Sequence, residues 1–173
     1  MRKVLFILGQ LTDSDVEWLS NNGKRTRVAR GVELIKYGTR IDIVYVILDG
    51  LMEVRTNRGI LLAHVAAGDI LGEMSLVDSS PTAASVVAEQ DSWVLAVPKQ
   101  ILVDKLKEKV DSKKDAAAAE FKKGAYAESI NLYKAAAALL DDASDDFGVF
   151  RKELKQMEAA VFGNIAFCYG KDK

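Results

Sequence analysis

The sequence predicts an α+β chain: an antiparallel β-barrel or jelly roll with flanking helices over residues 1–110, then an all-α segment over residues 111–173. Three observations carry this. Up to Pro98 the chain is a succession of short β-branched and aliphatic runs broken by glycines, the pattern of an all-β sandwich or barrel. From Asp115 onward glycines and β-branched residues thin out and alanines at helical spacing take over. The chain has 173 residues, 49% apolar and 28% charged, enough for one globular domain or two small ones.

At the start, Thr12 and Asp13 are placed to cap a short helix carrying Val16, Trp18 and Leu19, whose apolar side packs on the sheets. The runs KRTRVAR, VELIKY, IVYVILDG, LMEVRT, ILLAHVAAG, ASVVAEQ and SWVLAV follow as strands. Asn57-Arg58-Gly59 reads as a hairpin loop, because Asn and Gly tolerate positive φ. Gly31, Gly38, Gly50 and Gly68 mark other strand ends. Pro98 suits the first turn of a helix holding Ile101, Leu102, Leu106 and Val110. The polar DSKKD at 111–115 is either a joint between domains or a helical bridge, since its residues do not exclude a helix. Beyond it, DAAAAEFKKGAYAESINLYKAAAALL reads as two helices joined around Lys123-Gly124. DDASDD at 141–146 is expected to be a loop, and a third helix is expected from about Phe147 to Tyr169.

Composition excludes several function classes. A net charge of −1 and a pI near 5.9 give no positive field for nucleic acid or an anionic membrane. The apolar run Val4–Leu8 is too short for a secretory signal or a membrane span. One cysteine, Cys168, and one histidine, His64, rule out an internal disulfide and make a zinc enzyme improbable; a cytoplasmic location fits. No nucleophile–base set, P-loop or dinucleotide loop is present, so a non-enzymatic protein without a cofactor is expected. His64, alone in an alternating strand, is given no role. Cys168 reads as a small core residue between Phe167 and Tyr169, and Lys113, Lys114, Lys122 and Lys123 as solvated helix faces.

The stretch Gly72–Val86, GEMSLVDSSPTAASV, resembles the phosphate-binding cassette of cyclic-nucleotide-binding domains. An N-terminal helix, about eight strands, the Gly-Asp-Ile-Leu-Gly-Glu turn and a trailing helix extend the resemblance over residues 11–110, with signature glycines at Gly31, Gly50, Gly68 and Gly72. It implies that Glu73 accepts a hydrogen bond from a ribose 2′-hydroxyl. Amides around Gly72, Glu73, Met74 and Ser75 would face a bound anion, as donors at a helix start do. Thr82, Ala83 and Ser85 complete the implied ligand site. The family has Arg directly after the proline, and this chain has Thr82. A hydroxyl carries no charge and makes no bidentate fork. Losing a charge-assisted bond of about 1.5 to 3 kcal/mol weakens a buried phosphate roughly ten- to a hundred-fold or more. Cyclic AMP or cyclic GMP is therefore a weakly supported ligand, unless Arg40, Arg55 or Arg58 reaches the site or the pocket takes a less charged ligand.

In the helical half, FKKGAYAESINLYKAA (121–136) resembles a tetratricopeptide repeat, a helix pair of about 34 residues. Ala117, Gly124, Tyr126, Ser129, Tyr133 and Ala136 fill its signature positions, with Ala117 and Ser129 at the helix crossing and Tyr126 in the turn. AAVFGNIAFCYGKDK resembles the first helix of a second repeat, of the kind beside chaperone-binding immunophilins. Lys114 and Asn164 fall at two carboxylate-clamp positions, but Ala118 replaces a clamp Asn and no third repeat follows, so the resemblance implies a docking scaffold rather than a clamp. Val161, Ile165, Phe167 and Tyr169 need cover. The first helix pair supplies it, or the chain is a fragment, or a second molecule does so, as in a homodimer. Two functions are thus expected from sequence: a ligand-sensing regulatory module that signals through a protein partner of the helices, or a ligand-free pseudo-sensor acting as an interaction scaffold.

Overall fold

The computed structural model describes residues 13–73, 80–146 and 148–171. It divides into two compact units, Met1–Ile101 and Leu102–Lys173. Among the described residues the first unit begins with helix α1 (Asp13–Asn22); Thr12, its expected cap, lies outside them. The helix closes where Gly23 N–H and the Asn22 side-chain amide donate to Leu19 and Trp18 carbonyls, and Leu19 is buried.

Eight strands follow among the described residues: β1 (Lys24–Val28), β2 (Glu33–Ile35), β3 (Ile43–Asp49), β4 (Leu51–Arg55), β5 (Leu61–Ala66), β6 (Ile70–Leu71), β7 (Ser85–Ala88) and β8 (Ser92–Pro98). They form two four-stranded antiparallel sheets, ordered β1-β8-β3-β6 and β2-β7-β4-β5. The architecture is therefore a two-sheet sandwich and not one closed barrel. The core lies between inward faces, with Val28, Ile47, Leu71 and Val94 from one sheet and Ile35, Met52, Val86 and Ala88 from the other. Full burial of side chains such as Ile47 or Met52 contributes about 1.5 to 3 kcal/mol each. β6 is too short to show a period of two, and the sequence presents it only as part of a turn.

Glycine geometry sets the β3–β4 connection. Gly50 has φ +105°, and a Cβ there would lie 2.1 Å from Ser92 Oγ. Ser92 is buried and donates to the Gln90 carbonyl. At the Asn57-Arg58-Gly59 loop, only Gly59 takes positive φ. Thr56 does the remaining work, its N–H donating to Ile60 O and its hydroxyl accepting from Ile60 N–H.

Pro98 ends β8 opposite Ile43 and does not enter the helix, which begins one residue later. That helix, α2 (Lys99–Lys122), includes residues 111–115, so DSKKD is helical. Lys99 N–H donates to Asp42 O at its start.

In the second unit, α3 (Tyr126–Asp146) follows a turn at Gly124, whose φ is +80°. The expected loop at 141–146 is instead the end of α3. Ile130, Tyr133, Ala136, Ala137, Leu140 and Ala143 are buried at spacings of three and four residues, so Ala143 continues the buried stripe through the acidic run. A short 3-10 turn (Gly148–Phe150) leads into α4 (Arg151–Lys171), later than the expected start at Phe147, which lies outside the described residues. Leu154, Glu158, Val161, Ile165 and Cys168 form its buried stripe. Val161 and Ile165 are thus covered within the chain, whereas Phe162, Phe167 and Tyr169 are about half exposed. No helix among the described residues is long and apolar enough to cross a membrane.

Candidate functional site

The first half of the cassette is built on β3. Asp69 turns the chain back: its carboxylate accepts Ala66 N–H at 2.8 Å, and its carbonyl accepts Ile47 N–H at 2.9 Å. Gly68 N–H donates to Ile47 O. β6 then pairs with β3, Leu71 opposite Tyr45 and Ile70 opposite Val46, and burial of Leu71 anchors it. Gly72 follows at φ +82°, where a Cβ would approach Ile43 O at 2.8 Å and Ile41 Cδ1 at 2.9 Å. Positive φ and close backbone approach both demand glycine there. Glu73 comes next and is half-buried. Met74 and Ser75 lie outside the described residues.

The second half is stitched to the β2–β3 connection. Thr82 N–H donates to Thr39 O at 2.8 Å, and Gly38 N–H donates to Thr82 O at 2.9 Å. The Thr82 hydroxyl donates to Lys36 O at 2.5 Å and accepts a longer bond from Thr39 N–H at 3.3 Å. Ser85 Oγ accepts Tyr37 N–H at 2.9 Å, and Ala83 is exposed. A hydroxyl has one proton. With that proton on Lys36 O, Thr82 holds a turn together and has none for an anion.

Both halves therefore rest on one stretch, residues 36–43: Gly72 against Ile41 and Ile43, Thr82 and Ser85 against Lys36–Thr39. Sequence reasoning missed this stretch as part of the site. Its signal was Gly38 with Thr39 between two strand runs, a turn with a hydroxyl beside it. Among the arginines offered as substitutes, Arg55 is engaged: Nε and Nη2 donate to Glu53 Oε2 at 2.8 and 2.5 Å, and Nη1 donates to Gly59 O. Arg58 is exposed on the hairpin tip, and Arg40 is exposed next to Thr39.

Among the positions expected of a repeat in the helical unit, Tyr126 is half-buried and Gly124 is exposed. Ala117, Ser129 and Ala136 are buried, and Ser129 Oγ donates to Ala117 O at 2.8 Å. Phe121 packs on Tyr126 and Phe167, with ring centroids 5.1 and 5.4 Å apart. Cys168 is buried with Sγ 3.5 Å from Ser129 Oγ, the setting of a core residue. Burial raises the pKa of Tyr133.

Residues 25–109 match the family model described as the cyclic nucleotide-binding domain. Among solved structures the chain is similar to a cyclic nucleotide-binding-like protein from Brucella abortus, at 25% identity and TM-score 0.51, over 59% of this chain and 96% of that one. It is similar to a cyclic nucleotide-binding domain from Methylobacillus flagellatus, at 28% identity and TM-score 0.53, over 57% of each chain. In fold it also matches the regulatory subunit of a cAMP-independent protein kinase A from Trypanosoma brucei, at 22% identity and TM-score 0.50, over 59% of this chain and 40% of that one. The chain thus spans nearly all of the first relative but well under two thirds of the other two.

Proposed function

From the cyclic nucleotide-binding domain formed by residues 25–109, we propose that the chain is a non-enzymatic regulatory module whose cassette senses a small ligand and whose helical segment engages a protein partner. The observation that carries this is Gly72, held at positive φ against Ile43 O directly before the half-buried Glu73. By resemblance to the family, the amides after this turn would face an anion and the Glu73 carboxylate a sugar hydroxyl. Gly72, Glu73, Met74, Ser75, Thr82, Ala83 and Ser85 line the proposed ligand site, with the Thr82 hydroxyl holding the turn through Lys36 O rather than donating to the ligand. Without Arg at position 82, a cyclic nucleotide binds weakly, and a less charged ligand is favoured over it. The division at residue 110 and the tetratricopeptide character of the helices belong to this proposal; the Ser129–Ala117 bond and the Gly124 turn support the latter. Phe162, Phe167 and Tyr169 are its candidate docking residues.

One observation favours a second reading. The Thr82 hydroxyl is committed to Lys36 O, as suits a ligand-free scaffold that keeps the domain for its shape. Calorimetry with cyclic AMP and cyclic GMP on the wild type and on Thr82→Arg separates the two. Micromolar binding by Thr82→Arg supports a preserved pocket that lacks only charge. No heat at millimolar ligand with either protein removes the sensor reading for cyclic nucleotides and leaves the scaffold.

A further inference from the structure

The outer face of the second sheet brings together three metal-ligating side chains that are not part of the cassette. Glu53 lies on β4 directly opposite His64 on β5. Glu89 follows the end of β7, the strand on the other flank of β4, at the opposite end of β7 from Ser85. Alternation explains the shared face: Met52 and Ala88 point into the core, so the residues after them point out. His64 Nε2 lies 3.2 Å from Glu89 Oε2 and 3.9 Å from Glu53 Oε1, and the three ligand atoms all lie within 4.8 Å of one another.

We propose that Glu53, His64 and Glu89 form a binding site for a borderline divalent transition ion of the zinc class. The ion sits at Nε2, on which both carboxylates converge. Ligand atoms about 2.0 to 2.1 Å from a tetrahedral ion stand roughly 3.3 Å apart; the 3.2 Å between Nε2 and Glu89 Oε2 matches this, and Glu53 Oε1, at 3.9 Å, closes in as the ion binds. One imidazole with two carboxylates suits Zn²⁺, Ni²⁺ or Cu²⁺ over Mg²⁺ or Ca²⁺, which prefer oxygen alone. Water completes the coordination.

The supporting residues are fixed. Arg55 grips Glu53 through Oε2 and leaves Oε1 toward His64, the kind of outer partner that orients a ligand. The Glu89 backbone is held where its N–H donates to Leu51 O at 3.0 Å. The two carboxylates outweigh the single guanidinium, so the local field favours a cation. His64 is about half exposed, which gives an ion access from solvent.

The test is equilibrium dialysis and calorimetry of the metal-stripped full chain with ZnCl₂, alongside His64→Gln and Glu89→Gln. Both replacements lie on the sheet exterior and leave the core untouched, and circular dichroism checks that each variant is folded. The expected result is one saturable zinc site per chain, weakened tenfold or more in each variant and not displaced by excess Mg²⁺. Zinc is also expected to raise the melting temperature of the wild type and not of His64→Gln. No saturable binding by the wild type, zinc affinity unchanged in His64→Gln, or displacement by Mg²⁺ would overturn the assignment.

Discussion

Replacing Thr82 by Val separates a structural hydroxyl from a ligand-binding one. Val keeps the β-branched shape and replaces the hydroxyl with a methyl group. The lost interactions are the bond from Thr82 Oγ1 to Lys36 O at 2.5 Å and the longer one from Thr39 N–H at 3.3 Å. Lys36 O keeps the Thr39 hydroxyl at 2.7 Å, so no acceptor is orphaned. The main-chain bonds of Thr82 with Thr39 and Gly38 do not involve its side chain. The expected loss is therefore that of an ordinary net hydrogen bond, about 0.5 to 1.5 kcal/mol. A loss of about 1 kcal/mol lowers the melting temperature by roughly 4 to 8 °C in a domain of about 100 residues. Both tryptophans, Trp18 and Trp93, lie in the unit Met1–Ile101, so their fluorescence during heating or urea unfolding reports on that unit alone. Any cyclic-nucleotide heat should be unchanged in Thr82→Val. Full stability with a tenfold or larger fall in affinity would refute the reasoning, because the hydroxyl would then be facing ligand.

Gly50→Ala is expected to cost about 2 to 6 kcal/mol, the sum of left-handed strain and overpacking against Ser92 at about 1 to 3 each. Gly59→Ala, where an added Cβ meets nothing within 4 Å, should cost only the conformational part; tryptophan fluorescence in urea compares them. Ser129→Ala removes the buried bond to Ala117 O and should cost about 1 kcal/mol, read from helical circular dichroism. Asp91 accepts Arg30 N–H at 2.9 Å and an Arg27 guanidinium bond at 2.5 Å, and these hold its carboxyl below the usual value. The stability this gives is present above the unfolded-state pKa of about 3.9 and is lost as pH falls through the lower folded value. The stability advantage of wild type over Asp91→Asn should therefore shrink below about pH 4; melting temperatures of both proteins across that range check the direction, which a constant difference would contradict.

Much of the sandwich was legible because sheets buried on one face write an alternating pattern, and because turns at Gly31, Gly38, Gly50 and Gly68 all take the positive φ that glycine permits. The site was legible only where its residues are consecutive. Gly72 and Glu73 announce themselves within one short segment, but the partner of Thr82 is Lys36, 46 residues earlier. No local pattern encodes a side-chain bond across that distance. Arg55 shows the opposite case. Its partner Glu53 is two residues away on the same strand face, so its engagement follows from the period of a strand and counts against it as a substitute cation from sequence alone. His64 falls between these cases: the Asn57-Arg58-Gly59 hairpin sets the register that puts it opposite Glu53, whereas Glu89 arrives through a strand pairing that crosses the chain.

The acidic run at 141–146 shows why polarity alone misleads at helix ends. Five of those residues are Asp or Ser, which favour turns by bonding to nearby backbone, and that preference suggests a loop. Yet one alanine decides the outcome. Ala143 stands three residues after Leu140, which itself follows Ala136 and Ala137 on the buried stripe, and Asp141 beside it is exposed. Helix formation is cooperative, so once α3 is established each added residue needs only a modest gain to extend it. Burying Ala143 supplies that gain, while Asp141 faces solvent.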